Sequence, residues 1–170
     1  ETDRHYRKQL SGYVDKIADL SRHNEIFGVE TLPIVNGIDL SIHSPRIPSY
    51  QDEAVHMLSV SSCFFWHGLD RAITGLGEYY AEKSPVKQVV LHIVGEGPET
   101  ASLKGMAETL GVSRYVLFHG ELQKSEIEEL YNQCTIALEG LGYFRKTDAF
   151  SSSIKSREYL AKGIPFAYCT

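Results

Sequence analysis

The chain has 170 residues, 42% of them hydrophobic, and a formal net charge of −5. That length supports one well-buried core and is too short for two domains of ordinary size, while the acidic balance excludes a surface built to coat nucleic acid or anionic lipid, partners that need a positive excess to release counterions. Cys63, Cys134 and Cys169 are far apart and lack a CxxC spacing, which fits neither a disulfide framework nor a zinc site.

Reduced thiols in a cytoplasmic protein are the simplest reading of those cysteines. No apolar run approaches the roughly 18 residues needed to span a bilayer, so any membrane attachment is peripheral. In chain order, Tyr6, Leu10, Tyr13, Ile17 and Leu20 recur at three and four residues, and this spacing predicts an amphipathic helix over Arg4 to Leu20. Thr31 to Val35 reads as a short extended stretch ending in the turn signal Asn36-Gly37. Ser44 to Asp52, with its prolines and serines, reads as a loop.

From Val55 the pattern becomes regular. Strands are predicted at 55–61, 88–94, 115–119, 134–138 and 164–168, and helices at 67–81, 99–110, 124–133 and 154–162. A strand such as Val89-Val90-Leu91-His92-Ile93-Val94 hardly alternates, as expected for a parallel sheet covered on both faces. Alternating strands and helices make a doubly wound, Rossmann-like α/β domain, whose ligands bind beyond the carboxyl ends of the strands.

Three segments fall on that edge. Gly95-Glu96-Gly97-Pro98 follows the second core strand and opens a helix, a turn that serves either strand-to-helix geometry or a phosphate. It is half of a dinucleotide fingerprint, with Thr100 in place of the third glycine and Glu121 near the position of a ribose-binding acid. Ser151-Ser152-Ser153 precedes the helix starting at Ile154, so a serine cap and free amides could hold an anion together with Lys155 and Arg157. Cations in a first helical turn oppose the helix dipole unless an anion is bound, although solvated cations behind an ordinary cap are the plainer alternative. Trp66-His67-Gly68-Leu69-Asp70-Arg71 brings His67 and Arg71 to the same edge, where His67 reads equally as a capping residue. Trp66 reads as packing and His92 as a hydrogen-bonded core residue. No histidine pair has the spacing of an HExxH-type metal site.

Taken together, Ile34-Val35-Asn36-Gly37-Ile38-Asp39, Val94-Gly95-Glu96-Gly97-Pro98, Tyr115 to Glu121 and Glu158-Tyr159-Leu160-Ala161-Lys162-Gly163-Ile164-Pro165 resemble the C-terminal, nucleotide-sugar-binding domain of retaining glycosyltransferases with the GT-B fold. The resemblance runs over nearly the whole chain. It implies transfer of a sugar from a nucleoside diphosphate to an acceptor hydroxyl, in polysaccharide or glycolipid synthesis, with no metal and no cofactor beyond the nucleotide-sugar substrate. It further implies an N-terminal acceptor-binding domain as partner within the full-length protein. Residues 1–40 are then expected to be an interdomain helix and connecting segment, 41–54 a loop, and 55–170 the donor-nucleotide-binding domain, cut off before its end.

The second glutamate of the family's E-x7-E motif binds the donor ribose and is matched by Glu158, whereas Phe150 stands at the first. An Arg and a Lys five residues apart hold the diphosphate in the family, and Ser62 and His67 occupy those positions. The donor site implied is therefore Glu158, Lys155, Arg157, Ser153, Ser62, His67, Arg71, Gly95 and Gly97, with no catalytic side chain assigned. A competing reading is a non-catalytic nucleotide- or partner-binding α/β module. A nicotinamide-dependent oxidoreductase fits less well, because its glycine loop should follow the first strand.

Overall fold

A computed structural model describes residues 6–7, 9–20, 23–50, 52–82, 85–146 and 153–169. Five parallel strands form the main sheet: β4 (Val55–Val60), β5 (Val89–Val94), β6 (Val116–Gly120), β7 (Ile136–Glu139) and β8 (Phe166–Tyr168), in the order β6-β5-β4-β7-β8. The four connecting helices are α1 (Leu69–Ala81), α2 (Thr100–Thr109), α3 (Lys124–Gln133) and α4 (Ile154–Lys162). The chain leaves β4 toward β5 and β6, then returns to pair β7 on the other side of β4, with Met57 opposite Ile136. This is the doubly wound arrangement the alternation predicts, and it opens a crevice at the carboxyl ends of the central strands.

Two apolar clusters cover the sheet. Leu69, Ile73 and Leu76 of α1 and Leu103 and Ala107 of α2 pack with Leu91, Ile93, Val116 and Leu138 on one face. Tyr131 of α3 and Tyr159 of α4 pack with Leu58, Val94, Ala137 and Ile164 on the other. Strands with both faces covered have no use for polar alternation, which accounts for the nearly continuous apolar run of β5.

Local chemistry fixes the helix ends. Glu126 accepts a hydrogen bond from the Gln123 backbone N–H at 2.8 Å at the start of α3, a capping-box contact. Ser153 Oγ accepts from the Lys155 N–H at 3.1 Å at the start of α4, which ends at Gly163 with φ +66°, a left-handed stop that glycine adopts without strain.

The N-terminal segment differs from its prediction. In place of a helix reaching Leu20, residues Leu10–Gly12 make a single 3₁₀ turn and Ile17–Asp19 form strand β1. With β2 (Glu25–Ile26) and β3 (Val29–Pro33) it builds a small sheet in the order β1-β3-β2, β1 lying parallel to β3. Phe27 and Gly28, at φ +53° and +79°, make the two-residue hairpin turn between β2 and β3. Gly12 in mid-helix would cost about 1 kcal/mol, and the supposed apolar face is not buried, since Tyr6 is 64% and Tyr13 83% exposed. Residues 4, 5 and 8 of that prediction lie outside the described residues.

The loop before β4 is fastened to the α3/α4 face by Arg46. Its guanidinium donates to the carbonyls of Tyr131, at 3.1 Å, and of Cys134, while its N–H donates to the Lys162 carbonyl at 3.1 Å. A cation over the last carbonyls of a helix satisfies acceptors that the helix itself leaves open. Replacing Arg46 with alanine is therefore expected to lower unfolding stability by about 1.5–3 kcal/mol, measured by urea denaturation. An unchanged midpoint would show that these contacts contribute nothing.

Candidate functional site

At the carboxyl edge of the sheet a cleft of about 460 Å³ is lined by Val60, Ser61, Ser62, His67, Val94, Gly95, Glu121, Leu122, Ile127 and Lys155. It sits where the chain diverges to either side of β4, which is where a doubly wound sheet leaves room for a ligand. The loops that wall it approach one another backbone to backbone. Gly95 has φ +106°, and a Cβ there would stand 2.3 Å from the Ser61 carbonyl oxygen; at Gly97 it would stand 1.7 Å from that of Ser62. Both glycines are thus required by the close approach of the β4 and β5 loops. Gly95 also lines the cleft, whereas Gly97 does not.

His67 closes the 3₁₀ turn Phe65–His67. Its Nδ1 accepts from the Phe64 N–H at 3.2 Å, so the proton of the neutral ring resides on Nε2. Burial, then Lys155 and Lys146, push its pKa down to about 4. The ring facing the cleft is accordingly neutral at pH 7 and offers a hydrogen-bond donor without a full charge.

The opposite wall is the first turn of α4. Lys155 is half-buried there, and burial is the main cause of its lowered pKa, opposed by the charge of Glu139. Glu139, the last residue of β7, is 3% exposed. It accepts hydrogen bonds from Tyr143 Oη at 2.6 Å and Ser153 Oγ at 3.2 Å, and one of its oxygens is 3.9 Å from Lys155 Nζ. The cap hydroxyl of Ser153 therefore donates to Glu139 while accepting from Lys155 N–H.

Five of the residues singled out from the sequence meet at this cleft: Ser62, His67, Gly95, Glu121 and Lys155. Ser153 stands beside them as the α4 cap. Arg157 and Glu158 are half-buried on the same helix but do not line the cleft. Glu158 Oε2 accepts from Tyr131 Oη at 3.5 Å, and burial, then that carboxylate, raises the tyrosine pKa. The helix lysines at three and four residues from it take other partners, Lys155 facing Glu139 and Lys162 paired with Glu128. Arg71 is turned away from the cleft; its guanidinium donates to the Leu141 carbonyl and to Cys169 Sγ and lies 5.4 Å from the Phe144 ring centroid. Phe150, Ser151 and Ser152 lie outside the described residues.

Trp66 packs as expected, stacked on Phe64 at 4.4 Å between ring centroids. Glu139 and Tyr143 escaped the sequence reading. The available signal was a carboxylate ending the apolar run Ile136-Ala137-Leu138, a position where an acid stays only if something holds it. Among the described residues no group of three or more His, Cys, Asp or Glu is arranged to hold a metal ion.

Away from the cleft, three histidines form a ladder across the sheet. His56 Nδ1 lies 2.9 Å from His92 Nε2, and His92 Nδ1 lies 3.0 Å from His119 Nε2. Asp52 closes the line, 3.0 Å from His56 Nε2. His92 is 7% exposed and fully engaged, the hydrogen-bonded core histidine that its place in β5 predicts.

The sequence model of the family glycosyl transferases group 1 matches residues 45–154. No curated protein matches the sequence. Among solved structures, the chain is similar to sucrose-phosphate synthase from Thermosynechococcus elongatus, with TM-score 0.67 and 16% identity over 97% of this chain and 43% of that one. It is similar also to a TarM variant from S. aureus in complex with Fondaparinux, alpha-GlcNAc-glycerol and UDP, with TM-score 0.64 and 12% identity over 96% of this chain and 31% of that one. The lipopolysaccharide outer core galactosyltransferase WaaB gives TM-score 0.59 and 19% identity over 81% of this chain and 36% of that one. The chain thus spans less than half the length of each of these proteins, and at these identities the likeness is one of fold.

Proposed function

Because the chain belongs to the family glycosyl transferases group 1, we propose that its cleft binds the nucleoside diphosphate of a sugar donor and that it supplies the donor half of a transferase. In this reading the whole protein moves the sugar to an acceptor hydroxyl with retention at the anomeric carbon. The acceptor is held by a separate N-terminal domain, in polysaccharide or glycolipid synthesis at the cytoplasmic side. The observation that carries the reading is the pairing of Lys155, on the Ser153-capped turn of α4, with Ser62 and His67 across one cleft.

A departing diphosphate needs its growing charge met by groups already in place, and preorganised donors provide this without solvent rearrangement. Lys155 supplies the cation, the amides of the first turn of α4 supply aligned dipoles, and the His67 Nε2–H and Ser62 hydroxyl supply neutral donors. No metal ion is assigned a part in this reading. Glu158, on the same helix but behind the cleft lining, is given the ribose hydroxyls by its place in the family motif, a role that requires it to exchange its long contact to Tyr131 for shorter ones.

A thermal-shift series with uridine, guanosine and adenosine diphosphates and their sugars tests the reading, since a ligand held only by the folded state raises the melting temperature. UDP comes first, because the TarM structure was solved with UDP. Stabilisation by one base is the expected result; no shift with any of them would remove the donor-site reading. The 170-residue chain alone is expected to bind and not to transfer, because near-attack geometry needs the acceptor held as well. Sugar transfer by the isolated chain would overturn that expectation.

Glu158→Gln is expected to weaken nucleoside diphosphate binding about tenfold, since a hydrogen bond to a charged acceptor is worth about 1.5–3 kcal/mol. The melting temperature without ligand should hardly move, because the one described partner of Glu158 sits at a long 3.5 Å. Equal calorimetric affinity for variant and wild type would take Glu158 out of the site.

A further inference from the structure

Glu139 is the most deeply buried acid among the described residues and has no part in the site implied by the sequence. A buried carboxylate is retained at a cost unless its lone pairs are filled, and here groups from two elements converge on it. Tyr143, of the 3₁₀ turn that follows β7, donates to one oxygen; Ser153, the cap of α4, donates to the other; Lys155 Nζ faces that second oxygen at 3.9 Å. The distance is longer than a hydrogen bond, so the lysine is drawn toward Glu139 without being consumed by it, and Lys155 still lines the cleft.

We propose that Glu139 is a positioning residue that keeps the half-buried Lys155 side chain charged and aimed into the cleft, ready for an anionic ligand. The groups around the ammonium explain why one is needed. Lys146, beyond the Tyr143 turn, repels it; His67, across the cleft, is neutral; Cys63, in the loop after β4, is a buried thiol whose own pKa is raised. Glu121 lines the cleft from the β6 side, but among the described residues Glu139 is the carboxylate whose charge acts on the ammonium, so without it burial and Lys146 both favour the neutral amine. The same carboxylate orients the Ser153 hydroxyl, so one side chain prepares the lysine and the helix cap together.

The inference rests on the donor-site reading only for its second readout. The first readout is direct: the Lys155 side chain is titrated by NMR in the whole chain, without ligand. In Glu139→Gln the midpoint is expected to fall by about one pH unit or more. The second readout is UDP affinity against pH. The alkaline limb of the E139Q profile should begin about one unit lower, with affinities near pH 6.5 agreeing within about threefold. Lys155→Arg in the E139Q background should restore the alkaline limb, because a guanidinium stays charged regardless of its neighbour.

A role confined to holding the fold would leave the Lys155 midpoint in place and would not respond to arginine. A midpoint unchanged in E139Q overturns the proposal, whatever the affinity does. If E139Q does not fold, Glu139→Asp, which keeps the charge but withdraws it, should lower the midpoint by a smaller step, and no change there overturns the proposal equally. Absence of UDP binding by the wild type at every pH would count against the donor site alone, with the NMR midpoint still deciding the role of Glu139.

Discussion

Lys155→Met is expected to weaken nucleoside diphosphate binding by about ten- to a hundredfold. A hydrogen bond to a charged group carries roughly 1.5–3 kcal/mol, and each ~1.4 kcal/mol is worth a factor of ten. Methionine matches the length of the lysine stem and keeps the packing of the α4 turn, so the change removes the ammonium and little else from the cleft. It also leaves Glu139 buried beside Tyr143 and Ser153 without a cation, so some loss of stability accompanies the loss of affinity. Isothermal titration calorimetry well below the melting temperature separates the two effects, and Lys155→Arg is the control that keeps the charge. If K155M bound nucleotide as tightly as the wild type, the anion would lie elsewhere and the cleft would lose its principal ligand-binding group.

Acidification is expected to destabilise the protein between about pH 6.5 and 4, before most of its carboxylates matter. His92 is pushed down to about 4 by burial first, then by His56 and His119, and His67 reaches a similar value from burial and two lysines. The folded pKa lies below the ordinary 6.5 in both cases. Above pH 6.5 both the folded and unfolded chains hold these rings neutral, and the stability they contribute is present in full. As pH falls, the unfolded chain takes up protons that the folded chain refuses, so stability is lost until the folded rings also titrate near 4.

For His92, which is 7% exposed, the loss is on the order of 3 kcal/mol. The more accessible His67 contributes less after solvent screening. Against a typical total of about 5–15 kcal/mol, this is a large share. Asp70, held low by the Arg145 guanidinium, loses its contribution only below the ordinary 3.8, so the two windows are separate. Urea midpoints measured from pH 7 to 4.5 should fall steadily in the wild type and much less steeply in His92→Gln. A flat wild-type profile would mean that the ladder accepts protons in place and is not held neutral.

The main sheet was legible because its signal is redundant. Apolar runs, turn residues and helix caps agree over residues 55–168, and the predicted bounds of α3 and α4 coincide with those observed. The N-terminal segment was misread because Tyr6, Leu10, Tyr13, Ile17 and Leu20 satisfy a helical period by spacing alone. Ser11-Gly12 interrupts the helix, and β1 takes its place by pairing with a strand more than ten residues away, which local periodicity cannot register.

At the cleft, strand ends could be read from the pattern, which is why Ser62, His67, Gly95 and Lys155 converge as expected. The direction of a long side chain could not. Arg71 follows the same strand as His67, yet its guanidinium finds the Leu141 carbonyl and the Phe144 ring instead. Glu139 went unnoticed for the complementary reason: its importance lies in partners from two later segments, brought to it only by the fold.

The central position of β4 separates the assembly of the molecule into steps of unequal entropic weight. Pairing of β4 with β5 and of β5 with β6 runs through single βα units, whereas β7 pairs with the other edge of β4 across all of them, Met57 meeting Ile136. Contacts so distant along the chain form slowly, because the intervening loop must be closed before they give anything back. Ser62, His67 and Gly95 are thus expected to assemble in the early half, and Ser153 and Lys155 in the half that docks last. A ligand gripped from both sides would act as a clasp across that final seam: it should slow unfolding by about its full equilibrium stabilisation while leaving the refolding rate nearly untouched, a signature that stopped-flow traces with and without UDP would display.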